Sequence, residues 1–276
     1  MQVLEAAVAT NPWPLRRERA AELAARYPHA AEMLRLYQAL TAVQEAAYLA
    51  YFPPPLAGEG QGGGIVAFAV ENVVPGVIDV TVELGPRALH DGVIALYASA
   101  NLEELIQRWL DQEPLNPFET YLARASSSPL LEGITPHADP PPIGGRELEM
   151  AGSRTRCPNC AGLPQLSYFA VSGEALVSGP RYLVCSRCAT NWVFSRMLCA
   201  GCGESNGTKL PIFQEQERFP HVRVDGCQTC QKYLLTFDLR RDTRAVPVVD
   251  EIAALPLDLY ARDQGLTKIA PNLMGN

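Results

Sequence analysis

Two Cys-x-x-Cys pairs, Cys185-Ser-Arg-Cys188 and Cys199-Ala-Gly-Cys202, fall within eighteen residues of one another. A third stands upstream at Cys157-Pro-Asn-Cys160 and a fourth downstream at Cys227-Gln-Thr-Cys230. Two residues between cysteines let a tight turn aim both sulfurs at one ion while backbone amides of the turn point at the sulfurs. Two such knuckles complete a tetrahedral shell of four thiolates. The first and second pairs are separated by 24 residues, and so are the third and fourth. Every cysteine of the first four has a counterpart 42 positions on, and Arg181 and Arg223 share that offset. A repeat of this period implies a repeated structural unit. The expected sites are therefore Cys157, Cys160, Cys185 and Cys188 for one ion, and Cys199, Cys202, Cys227 and Cys230 for another. Cross-bracing of the first pair with the third would use the same eight ligands but break the repeat. Thioredoxin-like redox chemistry needs one such pair at a helix N-terminus, and four pairs argue against it.

Spacing does not choose the metal, since soft S₄ shells accept iron or zinc. Four thiolates leave no open coordination position for water or substrate, so the sites read as structural rather than catalytic. Gly203 suits the left-handed backbone that a knuckle needs after its second cysteine. Gly162 stands one residue too late for that role, and Ala189 and Gln231 are not glycine. Among the histidines, His29 and His90 lie in helical patterns and His137 in a linker, while His221 reads as a neighbour of the fourth knuckle or a solvent-facing residue. Trp192, Val193 and Phe194 read as hairpin core, and Arg240, Arg241 and Arg244 as solvated surface. No phosphate loop, nucleotide fingerprint or Ser-His-Asp arrangement is present. The chain reads as a non-enzyme.

The elements that must hold these cysteines divide the chain. All eight lie between 157 and 230 of 276 residues. Residues 1–150 carry 9 Lys+Arg against 19 Asp+Glu, a balance of −10, and residues 151–276 carry 14 against 11, a balance of +3, giving the total of −7. The first half is patterned as helices, over 14–28, 28–52, 86–100, 101–112 and 117–125, with Asn101 and Glu104 resembling a capping box. Residues 65–84 are β-branched enough for strands yet broken at Pro75-Gly76, and both readings stay open. Residues 56–64 read as a flexible loop and 126–150 as a Pro/Gly/Ser-rich linker. A closing helix over 248–265 should end at Gly265, with Pro256 kinking it or marking its true start. The expected organisation is a helical domain over 1–125, a linker over 126–150, Cys₄ modules over 151–194 and 195–240, and a helix with a tail over 241–276. No apolar run reaches the ~18 residues of a membrane span. The start of the chain is wrong for a secretory signal, so a cytoplasmic protein is expected.

The order Arg181-Y-L-V-C-S-R-C-A-T-N-W, Cys199-A-G-C-G-E and Cys227-Q-T-C-Q-K-Y-L resembles the formate dehydrogenase accessory proteins. Arg156-C-P-N-C-A-G-L-P resembles the opening of that family's pattern, and Val249-D-E-I-A-A-L-P-L-D-L-Y-A-R-D-Q-G with Pro271-N-L its closing segment. The match covers residues 156–276. It implies an α+β protein with a mainly helical N-terminal domain, two tandem rubredoxin-like or zinc-ribbon Cys₄ modules and a C-terminal helix. It also implies a maturation factor that binds the catalytic subunit of a molybdenum- or tungsten-containing formate dehydrogenase. By the same resemblance the eight cysteines are metal ligands, with iron favoured over zinc. Two other classes compete: a rubredoxin-like electron carrier, and a zinc-ribbon nucleic-acid binder. The second lacks the basic stripe needed to neutralise phosphates.

Overall fold

The structure is a computed structural model of the whole chain and describes residues 11–51, 64–134, 153–171 and 179–275. Seven helices come first: α1 (Trp13–Arg26), α2 (Ala31–Tyr51), α3 (Ile65–Asn72), α4 (Val74–Leu84), α5 (Arg87–Ser99), α6 (Leu102–Leu110) and α7 (Pro117–Ile134). A short 3-10 turn, Pro28–Ala30, joins the first two. The strands are β1 (Pro164–Phe169), β2 (Arg181–Cys185), β3 (Asn191–Phe194), β4 (Ile212–Gln214), β5 (Val222–Cys227) and β6 (Lys232–Asp238). Helices α8 (Pro247–Ala253) and α9 (Leu255–Asp263) and the two-residue strand β7 (Thr267–Lys268) close the chain. No single helix among the described residues is long and apolar enough to cross a membrane.

The ambiguous stretch 65–84 is helical. Pro75 sits in the first turn of α4, where its missing N–H costs nothing. Gly76 lets that turn lie against α2, where an added Cβ would come 3.0 Å from Val43 Cγ1. Val73, Val74, Val77 and Ile78 enter the helical core, so burial of one face overrides the strand preference of β-branched residues. Asn101 caps α6, its Oδ1 accepting from the amide of Glu104 at 3.2 Å.

The linker expected from Ser126 begins later, because α7 continues through Pro129 to Ile134. Ser126 and Ser127 are buried, and Ser127 Oγ donates to Ala123 O at 2.7 Å within the helix. Pro129 cannot donate to the carbonyl of Ala125, one turn back. Gln44 Nε2 of α2 donates to that carbonyl instead, at 2.9 Å. A side chain 81 residues away thus supplies the bond the proline removes. The rest of the linker, 135–150, and the loop reading over 56–63 lie outside the described residues. Replacing Gln44 with Leu should therefore cost about 1–3 kcal/mol, the penalty of an unsatisfied buried carbonyl. Urea titration checks it, and a loss under ~0.5 kcal/mol would mean that water or a backbone shift replaces the bond.

The sheet runs β3-β2-β1-β6-β5-β4, with β7 beside the start of β6. Within each half the neighbours are antiparallel, and β1 joins β6 in parallel, Leu166 facing Leu235 and Phe169 facing Asp238. The 42-residue offset maps β2 onto β5 and β3 into β6. The two units therefore repeat by translation, the last strand of the second unit pairing with the first strand of the first. Both quartets of cysteines hang from one continuous sheet.

Alternation along the strands separates two cores. Val184, Tyr233 and Leu235 share one cluster with Ala20, Leu23 and Leu34 of α1 and α2 and with Val249, Ile252 and Leu257 of α8 and α9. Leu183 and Leu234 face the other side, with Trp192, Phe194, Ile269 and the cysteines of the first quartet. Helices α3–α7 and the remainder of α2 bury a third cluster. The helical part thus does not stand apart from the sheet, since α2 contributes to both clusters and α1 to the one on the sheet. The single closing helix expected over 248–265 is two, α8 and α9, broken at Ala254 with Pro256 in the first turn of the second. Gly265 follows with φ +78°, as the left-handed C-cap requires.

Candidate metal centres

Four sulfurs meet at each of two places: Cys157, Cys160, Cys185 and Cys188, and Cys199, Cys202, Cys227 and Cys230, each set lying within 4.8 Å. In the first set, Sγ–Sγ distances are 3.7 Å for Cys157–Cys188, 3.4 Å for Cys160–Cys185 and 3.4 Å for Cys160–Cys188. In the second they are 3.7 Å for Cys199–Cys230 and 3.8 Å for Cys202–Cys227. Sulfurs about 2.3 Å from a tetrahedral ion stand about 3.8 Å apart. The spacing is that of a tetrathiolate shell and is far too long for disulfides.

Each quartet unites two knuckles. The first knuckle of each follows a loop, and the second hangs from the end of a strand, Cys185 closing β2 and Cys227 closing β5. Knuckle amides point at the sulfurs, with Arg187 N 3.4 Å from Cys185 Sγ and Gly201 N 3.3 Å from Cys199 Sγ. The residue after each second cysteine is left-handed: Ala161 at φ 55°, Ala189 at 53°, Gly203 at 77° and Gln231 at 54°. Three of the four are not glycine, and non-glycine residues hold this conformation only at a cost of about 1–2 kcal/mol each. The lack of glycine at those positions therefore does not weaken the turns' geometry; the chain bears the strain where a sulfur must be aimed. Gly162 has a different task from the one its position first suggests. A Cβ there would come 2.9 Å from Cys185 Sγ and 3.2 Å from Cys160 Sγ, so it is the close approach of the sulfurs that demands glycine.

Without a cation, four sulfurs this close cannot all ionise. The Cys157 thiol is pulled far down, chiefly by hydrogen bonds from Cys160, Cys185 and Cys188. Cys160 and Cys185 are pushed far up, chiefly because they donate to Cys157. In the second set, burial pushes Cys199 up to about 11 and pushes Cys230 up as well. A divalent ion removes this conflict by making all four thiolates favourable at once. The donor set, the spacing and the glycine cradle all fit a tetrahedral thiophilic ion such as iron or zinc.

Other residues fall differently. His221 is buried away from the fourth knuckle, its Nε2 3.3 Å from Asp250 Oδ1. His221, Asp242 and Asp250 converge closely enough for an ion. The guanidinium of Arg19 already bonds both carboxylates, at 2.5 and 2.9 Å to Asp250 and 3.0 Å to Asp242. It occupies the place a cation would take. His29 Nε2 lies 2.9 Å from Ala253 O and ties the first helices to α8. Trp192 and Phe194 are core residues of β3, as their pattern suggests. Arg240 and Arg241 pair with Asp238, and Arg244 with Glu22. Sequence reasoning missed the clamps on the first quartet. Arg187 Nη2 donates to the carbonyls of Trp109 and Leu110 at 2.9 and 2.8 Å, closing the C-terminus of α6. Gln112 Nε2 donates to Cys160 O at 3.2 Å. Nothing in the spacing pointed to them, since both join elements far apart in the chain.

Two tetracysteine clusters carried on one sheet, with helices packed against it, define a double Cys₄ protein. The profile of the FdhE central domain matches residues 156–196, and that of the FdhE C-terminal domain matches residues 197–274. The FdhE homolog of Aquifex aeolicus (strain VF5) is 35% identical over 119 residues, 43% of this chain and 41% of that protein. The homolog of Pseudomonas putida (strain KT2440) is 34% identical over 135 residues, 48% of this chain and 42% of its own. The matched stretch thus spans about two fifths of these relatives' length. The crystal structure of the FdhE protein from Pseudomonas aeruginosa superposes with a TM-score of 0.61 at 25% identity, covering 95% of both chains. Residues 156–274 of the chain thus match the central and C-terminal domains of the FdhE family.

Proposed function

We propose that this chain is an accessory protein for a formate dehydrogenase. It binds the catalytic subunit of a molybdenum- or tungsten-containing enzyme in the cytoplasm and is needed for that enzyme's activity. The observation that carries the reading is the superposition on an FdhE protein over 95% of both chains, which extends the likeness from the cysteine half to the helices. Cys157, Cys160, Cys185 and Cys188 hold one metal ion, and Cys199, Cys202, Cys227 and Cys230 a second, iron before zinc. Bound there, the ion supplies cross-linking of the fold and, if iron, a one-electron couple. The protein itself does not oxidise formate, because eight thiolates fill both shells and leave no site for substrate. A nucleic-acid role is not supported: Arg181, Arg218, Arg223, Arg240, Arg241 and Arg244 of the sheet half pair with carboxylates rather than forming a phosphate-binding stripe.

The test joins genetics to binding. Deleting the gene should abolish formate dehydrogenase activity while the catalytic polypeptide is still made. The wild-type chain should restore activity and co-purify with that polypeptide, more weakly as salt rises if charge steers the encounter. Normal formate oxidation in the deletion strain, with no related accessory protein present, would refute the assignment.

A further inference from the structure

Although the two quartets are equivalent in sequence, their surroundings differ. In the first, Cys157, Cys185 and Cys188 are buried and Cys160 is half-buried. The helical half encloses it. Arg187, inside the second knuckle, is fastened to the end of α6, and Gln112, just beyond α6, holds the carbonyl of Cys160. Leu131 of α7 packs into the same cluster as the sulfurs. Gly162 lies against two of them. The second quartet has no such enclosure among the described residues. Cys202 is the one exposed cysteine of the eight, and Cys230 is half-buried. Gly203, beside Cys202, has nothing within 4 Å of where a Cβ would stand. The tail covers the other side, where Ile269 Cδ1 lies 3.4 Å from the Cβ position of Gly201.

Ligand exchange at a filled tetrathiolate shell begins when one thiolate is lost to a proton or an incoming ligand. The accessibility of the sulfurs, and the shell that excludes solvent from them, set its rate. We propose that the second site is the exchangeable one, opening at Cys202 to a competing thiolate or chelating ligand, while the first is a permanent part of the fold. The exchange substitutes one ligand for another on the ion, with the released Cys202 thiolate taking a proton from water and no change of oxidation state. This rests on the reading that both quartets bind metal. It goes beyond it by assigning the two ions different roles: one retained, one available to a partner that presents thiophilic ligands at this surface.

The full chain, loaded with two zinc ions and shown by elemental analysis to contain them, is mixed with 4-(2-pyridylazo)resorcinol. Release should be biphasic, with one equivalent leaving at least tenfold faster than the other. Iodoacetamide added after the fast phase should label Cys199, Cys202, Cys227 and Cys230 and leave Cys157, Cys160, Cys185 and Cys188 protected, as read by peptide mass spectrometry. Gln112→Ala and Arg187→Ala should each speed the slow phase and leave the fast one unchanged; Gln112→Ala, the milder change, keeps the comparison if the other fails to fold. A protein that starts with two zinc ions and releases both in one phase, or that is labelled first in the first quartet, overturns the proposal alone. A starting content of one ion overturns the two-metal reading and the proposal with it.

Discussion

Removing both metal ions is expected to unfold the sheet half of the molecule. Structural tetrathiolate sites contribute about 10–16 kcal/mol of apparent binding energy each, which matches or exceeds the ~5–15 kcal/mol stability of a whole domain. The sulfurs here are not appended to an independent core. Cys157, Cys185 and Cys188 are members of the cluster that includes Leu183, Trp192, Phe194 and Leu234, so releasing them opens that cluster directly. Loss should be uneven along the chain. Helices α3–α7 bury Val73, Val77, Val93, Ile106 and Leu122 among themselves and against α2, with no cysteine in the cluster. A chelator should therefore abolish the strand signal in circular dichroism and red-shift tryptophan emission through Trp192, while much of the helical signal survives. Site assignment comes from one variant. Cys157→Ser together with Cys185→Ser should bring the metal content from two to one, as elemental analysis reads it. Cross-bracing predicts instead that this pair damages both sites. A chelated protein with an unchanged melting profile would show that the sulfurs hold no ion important to the fold.

The pairing of the cysteines was legible because it is local arithmetic. A knuckle is four residues, and a 42-residue offset is visible without knowing how strands run. The hairpin nature of Trp192–Phe194, the cap at Asn101 and the break at Pro256 are local in the same sense. What the sequence concealed depends on partners far away. Pro129 reads as a helix breaker until Gln44 is placed opposite Ala125 O. The stretch 65–84 stays ambiguous between strand and other readings until its valines find α2 and α7. The parallel pairing of β1 with β6 joins residues about seventy positions apart, and no turn signal announces it. Left-handed Ala161, Ala189 and Gln231 were illegible for another reason. Propensity describes a residue's preference when free, and here the cysteine just before each of them, held in its quartet, overrides it. His221 looked like a neighbour of the fourth knuckle because it is near it in sequence, but its position on β5's approach turns it toward α8.

That contact leads to the second large effect, at the buried arginine that fixes the first helix to the last pair. Arg19 of α1 and Asp250 of α8 are each 3% exposed and bond in bidentate fashion, Nε to Oδ2 at 2.9 Å and Nη2 to Oδ1 at 2.5 Å. Asp242 and Glu22 take the remaining donors, at 3.0 and 2.8 Å. Asp250 Oδ2 also accepts from the amide of Val246 at 2.8 Å, capping α8. Removing one partner of such a pair strands a charge in the interior and costs about 3–5 kcal/mol. Arg19→Met keeps much of the side chain's length but leaves Asp250 and Asp242 beside His221 with no guanidinium between them. It should therefore lower the melting temperature by roughly 10 °C, taking ~2–4 °C per kcal/mol for a chain of this size. Asp250→Asn keeps the shape and one acceptor, so its own cost should be smaller. The double variant should be less damaged than the two losses summed, with a coupling of about 1–3 kcal/mol, because neither charge is then left without its partner. The metal content of all three should stay at two, since the pair lies on the side of the sheet that α1 and α8 cover and the first quartet on the other. A cost below ~1 kcal/mol for Arg19→Met would mean that solvent reaches the carboxylates. Strict additivity would mean that the pair does not couple α1 to α8, and that the shared apolar cluster of Ala20, Leu23, Val249 and Ile252 holds them together unaided.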